Sequence, residues 1–150
     1  MKVKILFPLS VFFLVLFTSC GKGDDDLGGG PVPTPVAAST SLNVAYGTDP
    51  LQKMDIYLPA NRSTTTTKVL FMIHGGGWTG GDKADFSVFV DTLKKRLPDY
   101  AILNINYRLA SLPATNPFPT QELDVKAAVE FIYANRSTYL ISDKFVLMGA

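Results

Sequence analysis

Apolar positions recur along this chain in several rhythms, and each rhythm predicts a different element. Residues 5–17 are almost continuously apolar. Residues 42–46 and 53–58 alternate apolar with polar on either side of Gly47-Thr48-Asp49-Pro50, which predicts an antiparallel hairpin at a sheet edge. Val69-Leu70-Phe71-Met72-Ile73 is an unbroken apolar run with β-branched ends, the pattern of a central strand covered on both faces. Over residues 83–97, Phe86, Phe89, Val90, Leu93 and Leu97 fall on one helical stripe, with Asp82 placed to cap it and Pro98-Asp99 to end it. Residues 100–105 predict a second buried strand. Residues 120–135 predict a helix capped by Thr120, with Leu123, Ala127, Ala128, Phe131 and Ile132 inward, and residues 144–148 a third central strand. A hairpin, then strand, helix, strand, helix, strand, is the alternation that yields an α/β fold with a parallel sheet and right-handed crossovers.

The front of the chain does not fit that pattern. Lys2 and Lys4 precede the apolar run, which is interrupted by Pro8 and too short to span a bilayer comfortably, so a signal peptide over residues 1–19 is expected. Leu16-Phe17-Thr18-Ser19-Cys20 resembles a bacterial lipobox, in which the cysteine is lipidated and becomes the first mature residue. Several acyl chains on Cys20 would give the stable anchoring that one chain cannot. Residues 20–40, rich in Gly, Pro and Asp, then read as a flexible tether, and 41–150 as the folded domain. The expected setting is the bacterial envelope: exported, anchored at the outer membrane, facing the periplasm or the surface. The charged run after Cys20 fits either a surface-sorting signal or a solvated spacer. Of the 150 residues, about 110 remain for the fold, short for this architecture.

Charge adds little, since the formal net charge is +1. Lys94-Lys95-Arg96, the tight basic cluster, closes a predicted helix where cations suit the negative dipole end, so no nucleic-acid partner is expected.

The most informative residues are His74-Gly75-Gly76-Gly77-Trp78, directly after the first buried strand. Consecutive glycines there let backbone N–H groups turn toward a ligand with no Cβ in the way. They suit a developing oxyanion better than a phosphate, because neither Gly-x-Gly-x-x-Gly nor Gly-Lys-Ser/Thr spacing is present after them. Asp124 lies within the inward stripe of its helix, where a bare carboxylate is costly. Arg108 is the expected partner in a partly buried bidentate pair.

Taken in order, Tyr46-Gly47, Met54-Asp55-Ile56-Tyr57-Leu58-Pro59, His74-Gly75-Gly76-Gly77-Trp78, Gly81-Asp82-Lys83, Asn106-Tyr107-Arg108-Leu109 and Phe118-Pro119 make the chain resemble the α/β-hydrolase family over roughly residues 44–150. The branch is that of bacterial esterases and lipases, hormone-sensitive-lipase-like or feruloyl-esterase-like. The resemblance implies a carboxylic ester hydrolase working through an acyl-enzyme, with Gly76 and Gly77 as oxyanion-hole amides and Gly75 shaping the turn. It gives His74 a loop-fixing role, although the only histidine could also serve as a base. Trp78 either walls the pocket or packs the loop. The family places a serine on a Gly-x-Ser-x-Gly elbow after the next strand, followed by an acid and a histidine. Gly149-Ala150 match the first two elbow positions, so the nucleophile is expected just after Ala150, and the chain as written is expected to be inactive. Ser87, Ser111, Ser137 and Ser142 lack elbow glycines. No metal or organic cofactor is implied. The expected partners are a small-molecule or polysaccharide-linked ester and, through the lipid on Cys20, a membrane. A non-catalytic cell-surface protein using the pocket to bind ligand is the alternative. Residues 144–148 are expected to carry an unpaired apolar edge that leaves the isolated chain poorly stable.

Overall fold

A computed structural model describes residues 34–111 and 113–150. The apolar run at 5–17, Cys20 and the tether up to residue 33 lie outside the described residues. The elements are β1 (Ser39–Ala45), β2 (Lys53–Leu58), β3 (Lys68–Ile73), a 3-10 turn (Lys83–Phe86) leading into α1 (Ser87–Arg96), β4 (Tyr100–Ile105), α2 (Thr120–Ala134), α3 (Arg136–Tyr139) and β5 (Phe145–Gly149). They form a five-stranded mixed sheet in the order β1-β2-β4-β3-β5. β2 is antiparallel to β1 and β4, whereas β3 is parallel to both β4 and β5. The expected α/β class is thus present.

Strand alternation sends side chains to opposite faces, and both faces are covered. Val69 and Phe71 of β3, with Ala101, Leu103 and Ile105 of β4, meet Ala128 and Ile132 of α2. On the other face Leu70, Met72 and Ile102 meet Val90 of α1, with Phe86, Leu93 and Leu97 packed around them. This double burial explains why β3 and β4 lack a polar alternation.

Several boundaries and faces differ from the sequence expectation. β1 starts at Ser39 and not at residue 42, because backbone pairing with β2 continues through Ser39, Thr40 and Ser41, whose side chains carry no apolar signal. Its register shifts between Ser41 and Val44. Within that bulge Asn43 takes a positive φ of 56° and donates its N–H to Asp55 Oδ1 at 2.8 Å, a conformation that Asn tolerates better than most residues. Asp82 does cap its element, but in a capping box with Asp85 on the 3-10 turn. The tighter turn rotates the start of α1, and Phe89 is left 53% exposed. In α2, Leu123 is 54% exposed, because the buried axis runs through Gln121, Asp124, Ala128 and Ile132. Thr120 is the first helical residue and its hydroxyl donates to the Pro117 carbonyl at 2.6 Å, so it does not act as the cap. Among the described residues β5 pairs only with β3 and leaves Val146 and Leu147 exposed, the unpaired apolar edge expected of residues 144–148.

A polar cluster lies under the 3-10 turn, at the carboxyl end of β4. Lys83 Nζ donates to Asp55 Oδ2 at 2.7 Å, and Lys83 N donates to Asn106 Oδ1 at 2.6 Å. Asn104 Nδ2 donates to the Lys83 carbonyl at 2.6 Å, and Asn106 Nδ2 donates to Asp82 Oδ2 at 2.7 Å. These bonds fasten the segment after the glycine turn to β2 and β4. Asp55 is buried, so removing its partner leaves an uncompensated charge. Lys83→Met in the intact protein is expected to lower the unfolding free energy by about 3–5 kcal/mol, with much of it recovered when Asp55→Leu is added. Urea denaturation checks this, and a single variant as stable as the parent contradicts it.

Candidate active site

In open α/β sheets ligands gather beyond the carboxyl ends of the strands, where the strand order reverses. Here the chain steps from β3 to β4 on one side and then returns past β3 to β5 on the other. The reversal therefore falls between β3 and β5, and Ile73 pairs with Gly149 at their carboxyl ends. His74-Gly75-Gly76-Gly77 leaves β3 at this point. A methyl group placed on Gly75 would lie 2.8 Å from the Ala150 carbonyl oxygen, so the glycine turn and Ala150 are in direct contact. A hollow of about 360 Å³ opens between them, walled by Ile73, His74, Gly75, Gly77, Trp78, Tyr107, Gly149 and Ala150. Another hollow of similar volume sits at the opposite end of the sheet among Tyr57, Leu58, Lys94, Leu97 and Tyr100. No glycine among the described residues lines it.

A trans peptide is planar, with the carbonyl of one residue and the N–H of the next pointing opposite ways. Holding a carbonyl on one side thus presents an amide on the other. The His74 carbonyl accepts from the Tyr107 hydroxyl at 2.8 Å. The Gly75 carbonyl is 2.8 Å from His74 Nδ1 and can only accept, so that nitrogen carries the ring proton. The Gly76 carbonyl accepts from the amides of Thr79 at 3.2 Å and Gly80 at 3.1 Å. Three successive carbonyls are occupied. Among the described residues the amides of Gly76 and Gly77 donate to no protein acceptor.

Glycine is required here for two separate reasons. Gly76 has φ +113° and Gly77 φ +59°, conformations costly for residues with a Cβ. At Gly76 a Cβ would also collide with the Gly80 carbonyl oxygen, whereas at Gly77 it would meet open space. Gly81 (φ +89°) lets its segment pass against His74, because a Cβ there would lie 2.5 Å from Nδ1.

His74 is buried, with its ring stacked on Tyr107 at 4.2 Å between centroids and 12° between planes. Its Nδ1 bond to the turn makes it a loop-fixing group in this structure. Trp78 is 42% exposed at the rim, in the left-handed region at φ 66°, with its ring edge-on to Tyr107 at 5.5 Å. It both packs the loop and leaves an apolar surface facing out. Among the described residues no group of His, Cys, Asp or Glu converges as metal ligands would.

Asp124 is 1% exposed and sits against Arg108. Arg108 Nη2 donates to Oδ1 at 2.6 Å, Nε donates to Oδ2 at 2.9 Å, and the Arg108 amide donates to Oδ2 at 2.9 Å. Gln52 Nε2 adds a bond to Oδ1 at 2.7 Å. Burial alone pushes this carboxyl up, but the bonds from Arg108 and Gln52 outweigh it and hold Asp124 below the usual carboxylate range. The pair fastens the start of α2 to the loop after β4. Cys20 lies outside the described residues.

Sequence reasoning passed over Tyr107, Asn106, Asn104, Asp55 and Lys83 as individual site residues. A signal did exist for some of them. Asp55 and Asn104 interrupt apolar strands, where a polar side chain demands a partner.

A protein-family model described as BD-FAE matches residues 54–150. The chain is 36% identical over 96 residues to arylacetamide deacetylase from Rattus norvegicus, covering 62% of this chain and 22% of that protein. Among solved structures it is similar to inhibited Esterase B from Lactobacillus rhamnosis, with TM-score 0.61 and 27% identity, covering 75% of this chain and 36% of that one. It is also similar to the bifunctional GH43-CE protein of Bacteroides eggerthii, with TM-score 0.60 and 31% identity, covering 73% of this chain and 15% of that one. The chain thus corresponds to one part of these longer proteins. With the family model covering more than half of its residues, the chain belongs to the BD-FAE family of esterase-type α/β-hydrolases.

Proposed function

We propose that residues 39–150 form the oxyanion-binding part of a carboxylic ester hydrolase that works through a serine acyl-enzyme. The observation that carries this is the contact of the Gly75–Gly77 turn with Ala150 across one hollow, with the Gly76 and Gly77 amides unclaimed by protein acceptors. No serine, threonine or cysteine lines that hollow among the described residues. The likeness to α/β-hydrolases, which carry the nucleophile on a Gly-x-Ser-x-Gly elbow after the strand that corresponds to β5, assigns it to the residue after Ala150, with the acid and the histidine further along. That serine passes its proton to the histidine as it attacks the ester carbonyl, the oxygen takes on negative charge as the carbon becomes tetrahedral, and the two amides stabilise it. The histidine gives the proton to the departing alcohol, leaving the acyl-enzyme, and water then releases the acid by the same relay. The serines among the described residues stand elsewhere: Ser142 is buried beside Thr67, and Ser111 pairs with Thr115 in the loop after β4.

The proposed substrate is a small-molecule or polysaccharide-linked ester, its acyl or alcohol group resting on the exposed Trp78 ring. Support comes from the named activities of the relatives and from the apolar rim. The proposed setting is the bacterial envelope, with lipid on Cys20.

A fluorophosphonate probe on the intact protein is expected to label the serine following Ala150, and labelling of Ser87, Ser111, Ser137 or Ser142 instead contradicts the assignment. Gly76→Ala is expected to lower kcat on p-nitrophenyl acetate by about 10²-fold or more; steady-state kinetics at unchanged kcat would remove the oxyanion role. Cys20→Ala is expected to move the protein from the membrane to the soluble fraction on cell fractionation, and retention at the membrane overturns the lipid anchor.

A further inference from the structure

Three adjacent glycines have little conformational preference of their own, so the shape of the turn has to be imposed from outside. Two of the imposed contacts come from one side chain. The Tyr107 hydroxyl donates to the His74 carbonyl at 2.8 Å and lies 3.5 Å from the Gly75 carbonyl. The Tyr107 ring also stacks on the imidazole whose Nδ1 holds that same Gly75 carbonyl. By the planarity of the peptide, the first carbonyl sets the direction of the Gly75 N–H and the second that of the Gly76 N–H. The Gly76 carbonyl is held by its own turn, through Thr79 and Gly80, and so the Gly77 N–H is set without Tyr107.

Tyr107 is itself fastened on both sides. Asn106 donates its amide to the Lys53 carbonyl at 2.9 Å and bonds the Asp82-Lys83 segment through its side chain. Arg108 is held by Asp124, and its carbonyl accepts from Gln121 Nε2 at 3.1 Å. Tyr107 is 2% exposed, and burial pushes its phenol above the ordinary value, keeping it a donor.

We propose that Tyr107 is a positioning residue that aims the Gly76 amide at the reacting oxygen, through the Gly75 carbonyl and the His74 ring that holds it. Its catalytic consequence rests on the ester-hydrolase reading. The orientation of the turn does not.

The test uses Tyr107→Phe in the intact protein, which keeps the ring and its stacking and removes only the hydroxyl. Expected are a kcat on p-nitrophenyl acetate lower by about tenfold, a KM nearly unchanged, and a boronic-acid transition-state analogue weakened by the same factor as kcat/KM. A merely structural tyrosine would lower the melting temperature and leave the ratio of analogue to substrate affinity unmoved. In protein labelled with 15N-glycine, the Gly76 amide resonance is expected to shift more than that of Gly77. Unchanged kcat and analogue affinity overturn the proposal. If the parent hydrolyses no ester, the functional reading falls on that result alone, and the glycine resonances decide the positioning: a Gly76 amide indifferent to Tyr107→Phe overturns it.

Discussion

A peptide plane whose carbonyl is held on one side shows its N–H on the other. In this chain three consecutive planes after β3 are held in that way, by the Tyr107 phenol, by the His74 ring and by the amides of Thr79 and Gly80. The geometry that the proposed oxyanion role requires is therefore set by the backbone itself, and no side chain has to reorganise to supply it.

The sheet does this at two levels. Its order places the carboxyl ends of β3 and β5 next to each other, so the glycine turn faces the end of the strand that ends at Gly149. Beneath the turn, buried polar groups replace the apolar packing found elsewhere. Asp55, Asn104 and Asn106 project from β2, from β4 and from the residue after β4, and they hold Asp82 and Lys83 through short bonds. On the other side Asp124, itself held by Gln52, holds Arg108. Burying such groups is costly unless they are bonded, and Asn104 Oδ1 has no partner among the described residues. That cost falls next to the site, where a fixed geometry matters more than maximal stability. Around Phe71, Leu103 and Ile132 the packing between strands and α2 is apolar.

Much of this was legible in the residues, for identifiable reasons. β4 spans residues 100–105 as expected and β3 differs by one residue, because strands buried on both faces leave continuous apolar runs. Asp124 could be matched to Arg108 because a carboxylate on a buried stripe needs a cation within reach. The inward face of α2 excludes Leu123 because Gln121 and Asp124 are buried by hydrogen bonds, and apolar periodicity does not register polar anchors. Phe89 leaves the apolar stripe because the 3-10 turn before α1 alters the period there. Tyr107 could be read only as part of a motif. Its partner carbonyl is 33 residues away in the chain, and that proximity exists only once β3 and β4 are paired.

The central claim is that the Gly76 and Gly77 amides face the oxygen that becomes charged during ester cleavage. A crystal structure of the intact protein carrying a phosphonate on its nucleophile tests this directly. The account predicts a phosphonyl oxygen about 2.7–3.1 Å from both amide nitrogens, the distance expected of oxyanion donors. A phosphonyl oxygen turned away from the glycine turn, and held by other groups, would contradict it.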